Sequence, residues 1–412
     1  MARGLGWSLA DRRTARRSSR AASTRGRAST AFGTVSTQAV VSAVKESVET
    51  ASPLRIEARA TWLDAGRPVR AHKTLSLRDD SGVVGYVPGD LTLTVRAGTP
   101  LSEIEQVTRE HDQWLPLDPY GTSDGTIGAT LATASAGPLS ASFGLPRDLL
   151  LGLEFVNGRG EVVRGGGKVV KNVAGFDLSR LLTGSWGTLG VITEVTLRLY
   201  ALPKVDRTFA IALKGSEQET GRVIHVISES ALSPYALQYF SRPAVRALEL
   251  GEHPVCLIRF GGNDAVVRAQ VNALSQIAKP EETESEIWTR VRQLDGSAHT
   301  VVRISSLPVQ FRAASARILG DDVGGIYVSI DPRRGVLRIV VGGEDANGDS
   351  GTAAIGSSVD FHESQGVIFE KLPPDIWSAV SPSVVSDPLS QGIKRAYDPR
   401  NILNPGILGD LM

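Results

Sequence analysis

Apolar residues set the rhythm of the chain from about residue 34. Val35, Ala39, Val40, Val44 and Val48 recur at helical spacing through Glu49. Pro53 ends that helix, and Leu54-Arg55-Ile56 reads as a short strand. A loop follows through Asp64-Ala65-Gly66-Arg67-Pro68, and Leu91 to Val95 is a β-rich run. Thr99 is expected to cap a helix that has Pro100 at its first position, Glu103 in its first turn and an end near His111. Leu149 to Val163 reads as a hairpin around Asn157-Gly158. Gly165-Gly166-Gly167 opens a loop, and Phe176 to Leu182 is a short helix broken by Gly184. Val191, Thr193, Val195, Leu197 and Leu199 then alternate with Ile192, Glu194, Thr196, Arg198 and Tyr200, the period of a half-buried strand closed by Pro203.

Residues 205–385 alternate strands (Phe209–Leu213, Val255–Phe260, Ile326–Ile330, Val336–Val341) with helical stretches (Glu217–Ser230, Ala265–Ala278, Glu284–Leu294). That order predicts an α+β region with an antiparallel sheet. The expected divisions are 1–33, 34–203, 204–385 and a closing segment 386–412.

One stretch breaks the rhythm. Residues 116–146 are dominated by Gly, Ala, Ser and Thr, where a packed helix would want larger side chains. The chain as a whole holds 43 Gly in 412 residues and a single Cys. One Cys excludes a disulfide framework and any multi-thiolate metal site. No run approaches the roughly 18 apolar residues of a membrane span. The net charge of +1 hides an asymmetry. Residues 1–30 carry eight Arg and one Asp, so the remainder is acidic at −6. An acidic body argues against nucleic-acid binding. The basic head lacks an apolar core and is no secretory signal; it reads as a disordered extension or an organelle transit peptide.

Familiar catalytic signatures are missing. There is no G-x-G-x-x-G after a strand, no P-loop around Gly167-Lys168, no G-x-S-x-G elbow and no paired histidines among His72, His111, His225, His253, His299 and His362. Cys256 lies in an apolar run and reads as a buried small hydrophobe. His111, His362 and Arg303 have no motif behind them, so no catalytic residue is assigned. What remains is the small-residue run at 121–137 and Gly187-Thr-Leu-Gly-Val-Ile at 187–192. Small side chains and open main-chain groups suit a bulky phosphorylated cofactor, and equally a tight glycine turn against a helix.

Four motifs together carry a resemblance: Thr126-Ile-Gly-Ala, Lys171-Asn-Val-Ala-Gly-Phe-Asp-Leu, Gly184-Ser-Trp-Gly-Thr-Leu-Gly-Val-Ile-Thr-Glu-Val-Thr-Leu-Arg-Leu, and Asp398-Pro-Arg-Asn-Ile-Leu-Asn-Pro-Gly. They resemble the PCMH-type (vanillyl-alcohol-oxidase-like) FAD-linked oxidases, above all the FAD-binding subunits of bacterial glycolate oxidases. The resemblance spans about residues 35–203 and the last twenty or so. It implies two α+β subdomains with FAD between them, held non-covalently, followed by a smaller α+β, ferredoxin-like domain. By that resemblance Thr126, Ile127, Gly128, Ala129 and Thr130, with Ser135, Ala136 and Gly137, line the pyrophosphate and flavin. Asp118 and Pro119 stand at the approach. Gly190, Val191 and Ile192 meet the adenine side, and Asn404 and Pro405 return towards the flavin. Gly128 is expected to be small because a Cβ would occupy ligand space. Tyr120 is either near the flavin or a core aromatic.

Two departures stand out. Where the family has glycines before a Thr, this chain reads Ile56-Glu57-Ala58-Arg59-Ala60-Thr61, which adds a negative charge and Cβ atoms, with Arg59 to offset the charge. The His-x-Gly-Asp-Gly-Asn-x-His element of the larger catalytic relatives does not occur between 205 and 412. The resemblance therefore implies an FAD-binding, electron-relaying subunit of a complex that oxidises a small 2-hydroxy acid. Its implied partners are a larger FAD-linked catalytic subunit and an iron–sulfur subunit on a separate chain. It implies a cytoplasmic protein, peripheral to the inner membrane only through partners. A stand-alone FAD-dependent 2-hydroxy-acid or alcohol dehydrogenase is the second reading, and a structural subunit without FAD the third.

Overall fold

The computed structural model describes residues 37–167, 177–342, 366–378, 380 and 387–409. The basic head, His362 and most of the Lys171–Leu178 motif lie outside these residues. The expected first helix is α1 (Thr37–Thr50). Its valines Val40, Val41 and Val44 are buried against Leu54, Val156 and Val191. Two parallel strands follow, β1 (Leu54–Glu57) and β2 (Lys73–Ser76).

A five-stranded antiparallel sheet comes next. Its strands are β3 (Val83–Val87), β4 (Thr92–Arg96), β6 (Leu150–Asn157), β7 (Val162–Gly166) and β8 (Gly190–Arg198), in the order β3-β4-β8-β6-β7. Two short strands, β5 (Gln113–Trp114) and β9 (Tyr200–Ala201), pair beside it. The alternation in β8 suggested one wet face, yet Gly190 to Thr193 are all buried. The reason is position. β8 is the central strand, with Val191 packed on the α1 layer and Ile192 on the opposite layer beside Ile127 and Leu131.

Helix α2 (Leu101–Arg109) has Pro100, not Thr99, at its N-cap. Thr99 Oγ1 instead accepts the Gly82 N–H at 2.9 Å, tying the helix entry to the β3 edge. Gly165 and Gly166, read as loop, extend β7; a Cβ at Gly165 would strike Leu178 at 2.7 Å. The small-residue stretch does contain a helix, α3 (Ile127–Thr133). Its packing comes from only two large side chains, Ile127 and Leu131, both fully buried.

The remaining strands form an eight-stranded antiparallel sheet. They are β10 (Val205–Ala212), β11 (Ala236–Phe240), β12 (Val255–Gly262), β13 (Glu281–Thr283), β14 (Thr300–Ser305), β15 (Ile326–Asp331), β16 (Val336–Val341) and β17 (Gly366–Lys371). Their order is β13-β10-β12-β11-β15-β16-β14-β17. Four of them, β11, β13, β14 and β17, escaped the periodicity reading. β11 is buried at all five positions, so it shows no alternation to read. Cys256 is fully buried in β12, and burial raises its thiol pKa.

An aromatic knot joins the sheets. Phe143 meets Trp114, Tyr200 and Tyr235 edge-on at ring separations of 5.3, 5.3 and 4.9 Å. A closed charge cluster lies under β14, β16 and β17. Arg338, 3% exposed, donates to Asp295 at 2.7 Å and to Glu370, which also accepts from Arg303 at 2.8 Å.

Asp80 is the opposite case. It is fully buried, and neither carboxylate oxygen has a hydrogen-bond partner. The nearest cation, Arg96, stands 3.7 Å away. Burial, reinforced by Glu154 and Glu194 and opposed by Arg96, raises its pKa from 3.8 to about 6. Protonated Asp80 is therefore tolerated in the fold below the unfolded value. The cost of ionising it grows as pH rises from 3.8 to about 6 and levels off above that, at roughly 3 kcal/mol. Asp80→Asn should gain stability over the parent at about pH 7 but little at about pH 4, read by urea unfolding at both. An equal difference at the two pH values would show that Asp80 ionisation costs nothing.

Candidate functional site

A cavity of about 590 Å³ lies where β1, α3, the 184–192 turn and the end of β17 converge. That volume falls within the range of ligand and cofactor pockets. Both small-residue stretches reach it, as do Asn404 and the loop from Arg55 to Val69.

Of the residues singled out in the sequence, Pro119, Thr126, Gly128, Ala129, Thr130, Ser135, Gly190, Ile192 and Asn404 line this cavity. Asp118, Ile127, Ala136, Gly137 and Val191 do not. Ile127 and Val191 face the two hydrophobic layers of the sheet. Asp118 lies behind the wall, where both its oxygens accept the Leu139 N–H at 3.2 and 3.1 Å. Burial raises its pKa to about 7, against the pull of that N–H, Arg292 and Arg259. Gly137 is pressed onto the Asp118 carbonyl, so no side chain fits there.

The glycines are small for a different reason than ligand access. A Cβ on Gly128 would stand 2.7 Å from Ala97 Cβ and 2.8 Å from the Ala97 carbonyl oxygen. A Cβ on Gly190 would run into the Phe155 ring. These positions are bare because main chain and core meet there, which corrects the expectation for Gly128. The residue on α3 that turns a side chain outward along the cavity is Ala129, which is exposed.

Main-chain donors on this wall are already engaged. The Ile127 and Gly128 N–H groups donate to the carbonyls of Thr99 and Ala97 at 3.0 and 2.8 Å. Ala129 N–H donates to the N-cap hydroxyl of Thr126 at 3.3 Å, and Thr130 and Ser135 donate to the Thr126 and Thr130 carbonyls.

Asn404 fastens the other wall. Its Oδ1 accepts the Ile56 N–H at 2.8 Å, and its Nδ2 donates to the Trp186 carbonyl at 2.8 Å. Asn404 adopts φ +43°, a left-handed conformation that Asn tolerates better than most residues. Asp398, fully buried, braces the approach by accepting from Lys394 at 2.6 Å, Leu403 N–H at 2.9 Å and Ile402 N–H at 3.1 Å.

Apart from Tyr120, which the sequence places either near the flavin or in the core, sequence reasoning missed several lining groups. Trp62 and Trp186 lie 6.1 Å apart in a tilted pair. Arg67 is anchored on the carbonyls of Trp377 and Val380, each at 2.7 Å. Lys371 pairs with Asp64. His299 presents a buried Nε2 without a partner, while its Nδ1 lies 3.0 Å from Thr300 Oγ1. Tyr120 lines the cavity and stacks under Arg338, whose guanidinium is 3.8 Å from its ring centre. Of these, only Trp186 sat in a motif. His111, by contrast, packs edge-on against Tyr86 at 5.1 Å, and Arg303 belongs to the charge cluster.

The residues fit FAD. The cavity is continuous and of suitable size, and it has an aromatic pair along one side. It is also lined by an arginine, Arg59, whose Nε has no hydrogen-bond partner among the described residues and whose guanidinium suits an anionic group.

Comparison with known proteins agrees. Residues 31–166 match the FAD binding domain family. The glycolate oxidase subunit GlcE of Escherichia coli is 34% identical over 261 residues, covering 62% of this chain and 68% of that protein. The glycolate oxidase subunit GlcD of Bacillus subtilis is 26% identical over 354 residues, covering 77% and 75%. The crystal structure of p-cresol methylhydroxylase superposes with a TM-score of 0.66 at 16% identity, over 91% of this chain and 88% of the other, which shows the shared fold.

Two neighbouring substitutions separate packing from ligand space. Gly128→Ala should destabilise the flavin-free protein by about 1–3 kcal/mol, through overpacking against Ala97. Ala129→Leu should leave unfolding within about 0.5 kcal/mol of the parent, as an exposed change, while lowering FAD retention. Urea melts and flavin absorbance per chain check both; the reverse pattern would place the ligand elsewhere.

Proposed function

The chain belongs to the family of FAD-linked oxidoreductases that includes the glycolate oxidase subunits, and we propose that it is the FAD-carrying, electron-relaying subunit of a complex that oxidises a small 2-hydroxy acid. The observation that carries this reading is the single cavity to which both small-residue stretches and Asn404 contribute. Similarity to a GlcE subunit favours a subunit role over a stand-alone enzyme. So does the absence from residues 205–412 of the His-x-Gly-Asp-Gly-Asn-x-His element of larger relatives.

FAD, when bound, supplies two-electron and one-electron redox chemistry. The chain supplies binding and surroundings. Thr126, Ala129, Thr130, Ser135, Gly190 and Ile192 form one wall, and Asn404 holds β1 and the Trp186 turn as the other. Trp62 and Trp186 cover apolar surface and exclude water. Lys371 has its charge balanced by Asp64. His299, beside β14, lines the cavity, and its Nε2 has no hydrogen-bond partner among the described residues. The cofactor is held non-covalently; Cys256, the one thiol, lies buried in β12 and does not line the cavity. Substrate oxidation takes place on a larger flavoprotein partner. Electrons leave to an iron–sulfur partner, because one Cys cannot hold a cluster. Among the described residues no helix is long and apolar enough to cross a membrane. The proposed setting is the cytoplasm, with any membrane contact made through partners.

The purified chain, reconstituted with FAD, should show flavin absorbance that glycolate alone does not bleach under anaerobic conditions. Adding the larger flavoprotein subunit should allow bleaching. Bleaching by the chain alone would establish the stand-alone dehydrogenase instead. A chain that stays colourless after reconstitution would return the structural-subunit reading.

A further inference from the structure

The loop that departs from the family pattern lies in the cavity wall: Glu57, Ala58, Arg59, Ala60 and Thr61 all line it. Its main chain still makes the turn that a glycine would favour. Ala60 adopts φ +59°, a left-handed conformation that is strained for a residue with a Cβ. What has changed is the side chains, one acid and one base, in a place that must receive a diphosphate.

The electrostatic demand is specific. A diphosphate brings two negative charges out of water, and buried charge must be paired or hydrogen-bonded. The opposite wall does not offer the amides of Ile127, Gly128, Ala129, Thr130 and Ser135, because each is engaged within the protein. Of the other cations around the cavity, Lys371 is paired with Asp64, while Arg67 is held on two main-chain carbonyls and Arg55 donates to the Leu63 carbonyl at 2.6 Å. Among the described residues Arg59 forms no ion pair, and its Nε has no hydrogen-bond partner. Without it, Glu57 would leave this loop repelling phosphate.

We propose that Arg59 is the diphosphate-binding residue of this cavity, its guanidinium replacing the glycine-rich amide cradle of the family loop. This rests on the reading above that the chain carries FAD. A planar guanidinium fork matches two phosphate oxygens at once and keeps its charge at any working pH. Glu57 beside it makes the site dependent on that one cation.

The test is equilibrium binding of FAD and riboflavin, which share the ring system but differ in the diphosphate and adenosine, to the full chain and two variants. Arg59→Met should weaken FAD binding roughly ten- to a hundredfold, the worth of a charged hydrogen bond, and leave riboflavin binding unchanged. Arg59→Lys should fall between the parent and Arg59→Met. Raising the salt concentration should weaken FAD binding to the parent more steeply than to Arg59→Met. This comparison needs only FAD, so it decides even where riboflavin binds too weakly to measure. If Arg59→Met does not fold, FAD affinity is compared between the parent and Arg59→Lys, which should bind FAD more weakly because an ammonium lacks the guanidinium fork, with a similar salt dependence. Equal FAD affinity in parent and variants, or parallel loss of FAD and riboflavin, would overturn the role of Arg59 and leave the flavin reading intact. A parent chain that binds neither ligand would overturn both.

Discussion

The amide side chain of Asn404 holds the site together. It ties the first strand to the Trp186 turn by two hydrogen bonds of 2.8 Å, and its own N–H donates to the Leu54 carbonyl at 3.0 Å. No other residue type of that size offers an acceptor and a donor on one planar group while tolerating a left-handed backbone. Gly187, at φ +71°, completes the fit, because a Cβ there would meet Asn404 Nδ2 at 2.8 Å. Behind it, the buried Lys394–Asp398 pair fixes the approach of the chain. Asp398 also explains a distant glycine: a Cβ on Gly158 would sit 2.5 Å from its Oδ1. These polar contacts are backed by a hydrophobic cluster in which Leu54, Ile402 and Leu403 are buried together.

Bare positions in this protein serve the protein first. Gly128, Gly137 and Gly190 each press on main chain or on a core ring. By bringing α3 against the end of β4, and β8 against Phe155, they leave room on the other side. The void is a by-product of close packing. Its charge balance is set by side chains that reach in from the loop after β1 and from the C-terminal sheet.

Much of this architecture was legible in the chain. The helix Thr37–Thr50, the strand Val336–Val341 and the hairpin around Asn157 follow from periodicity and turn chemistry. The motifs that resemble the FAD-linked oxidases carried Thr126, Ala129, Ser135, Gly190 and Asn404 to one cavity. Other features needed three dimensions. β11 is uniformly buried and so has no period, and α3 looked too poor in large residues until Ile127 and Leu131 were seen to face one core. His299, just before β14, and Lys371, at the end of β17, belong to separate parts of the second region and have no local signature. They become neighbours of the cavity only through the pairing of β14 with β17.

The contact between Ile56 and Asn404 spans 348 residues. Closing so long a loop is entropically slow, and such non-local pairings form late in folding. During synthesis β1 therefore waits for 348 further residues before Asn404 is made, and any nascent chain or trimmed product lacking that asparagine carries a pocket open on one flank.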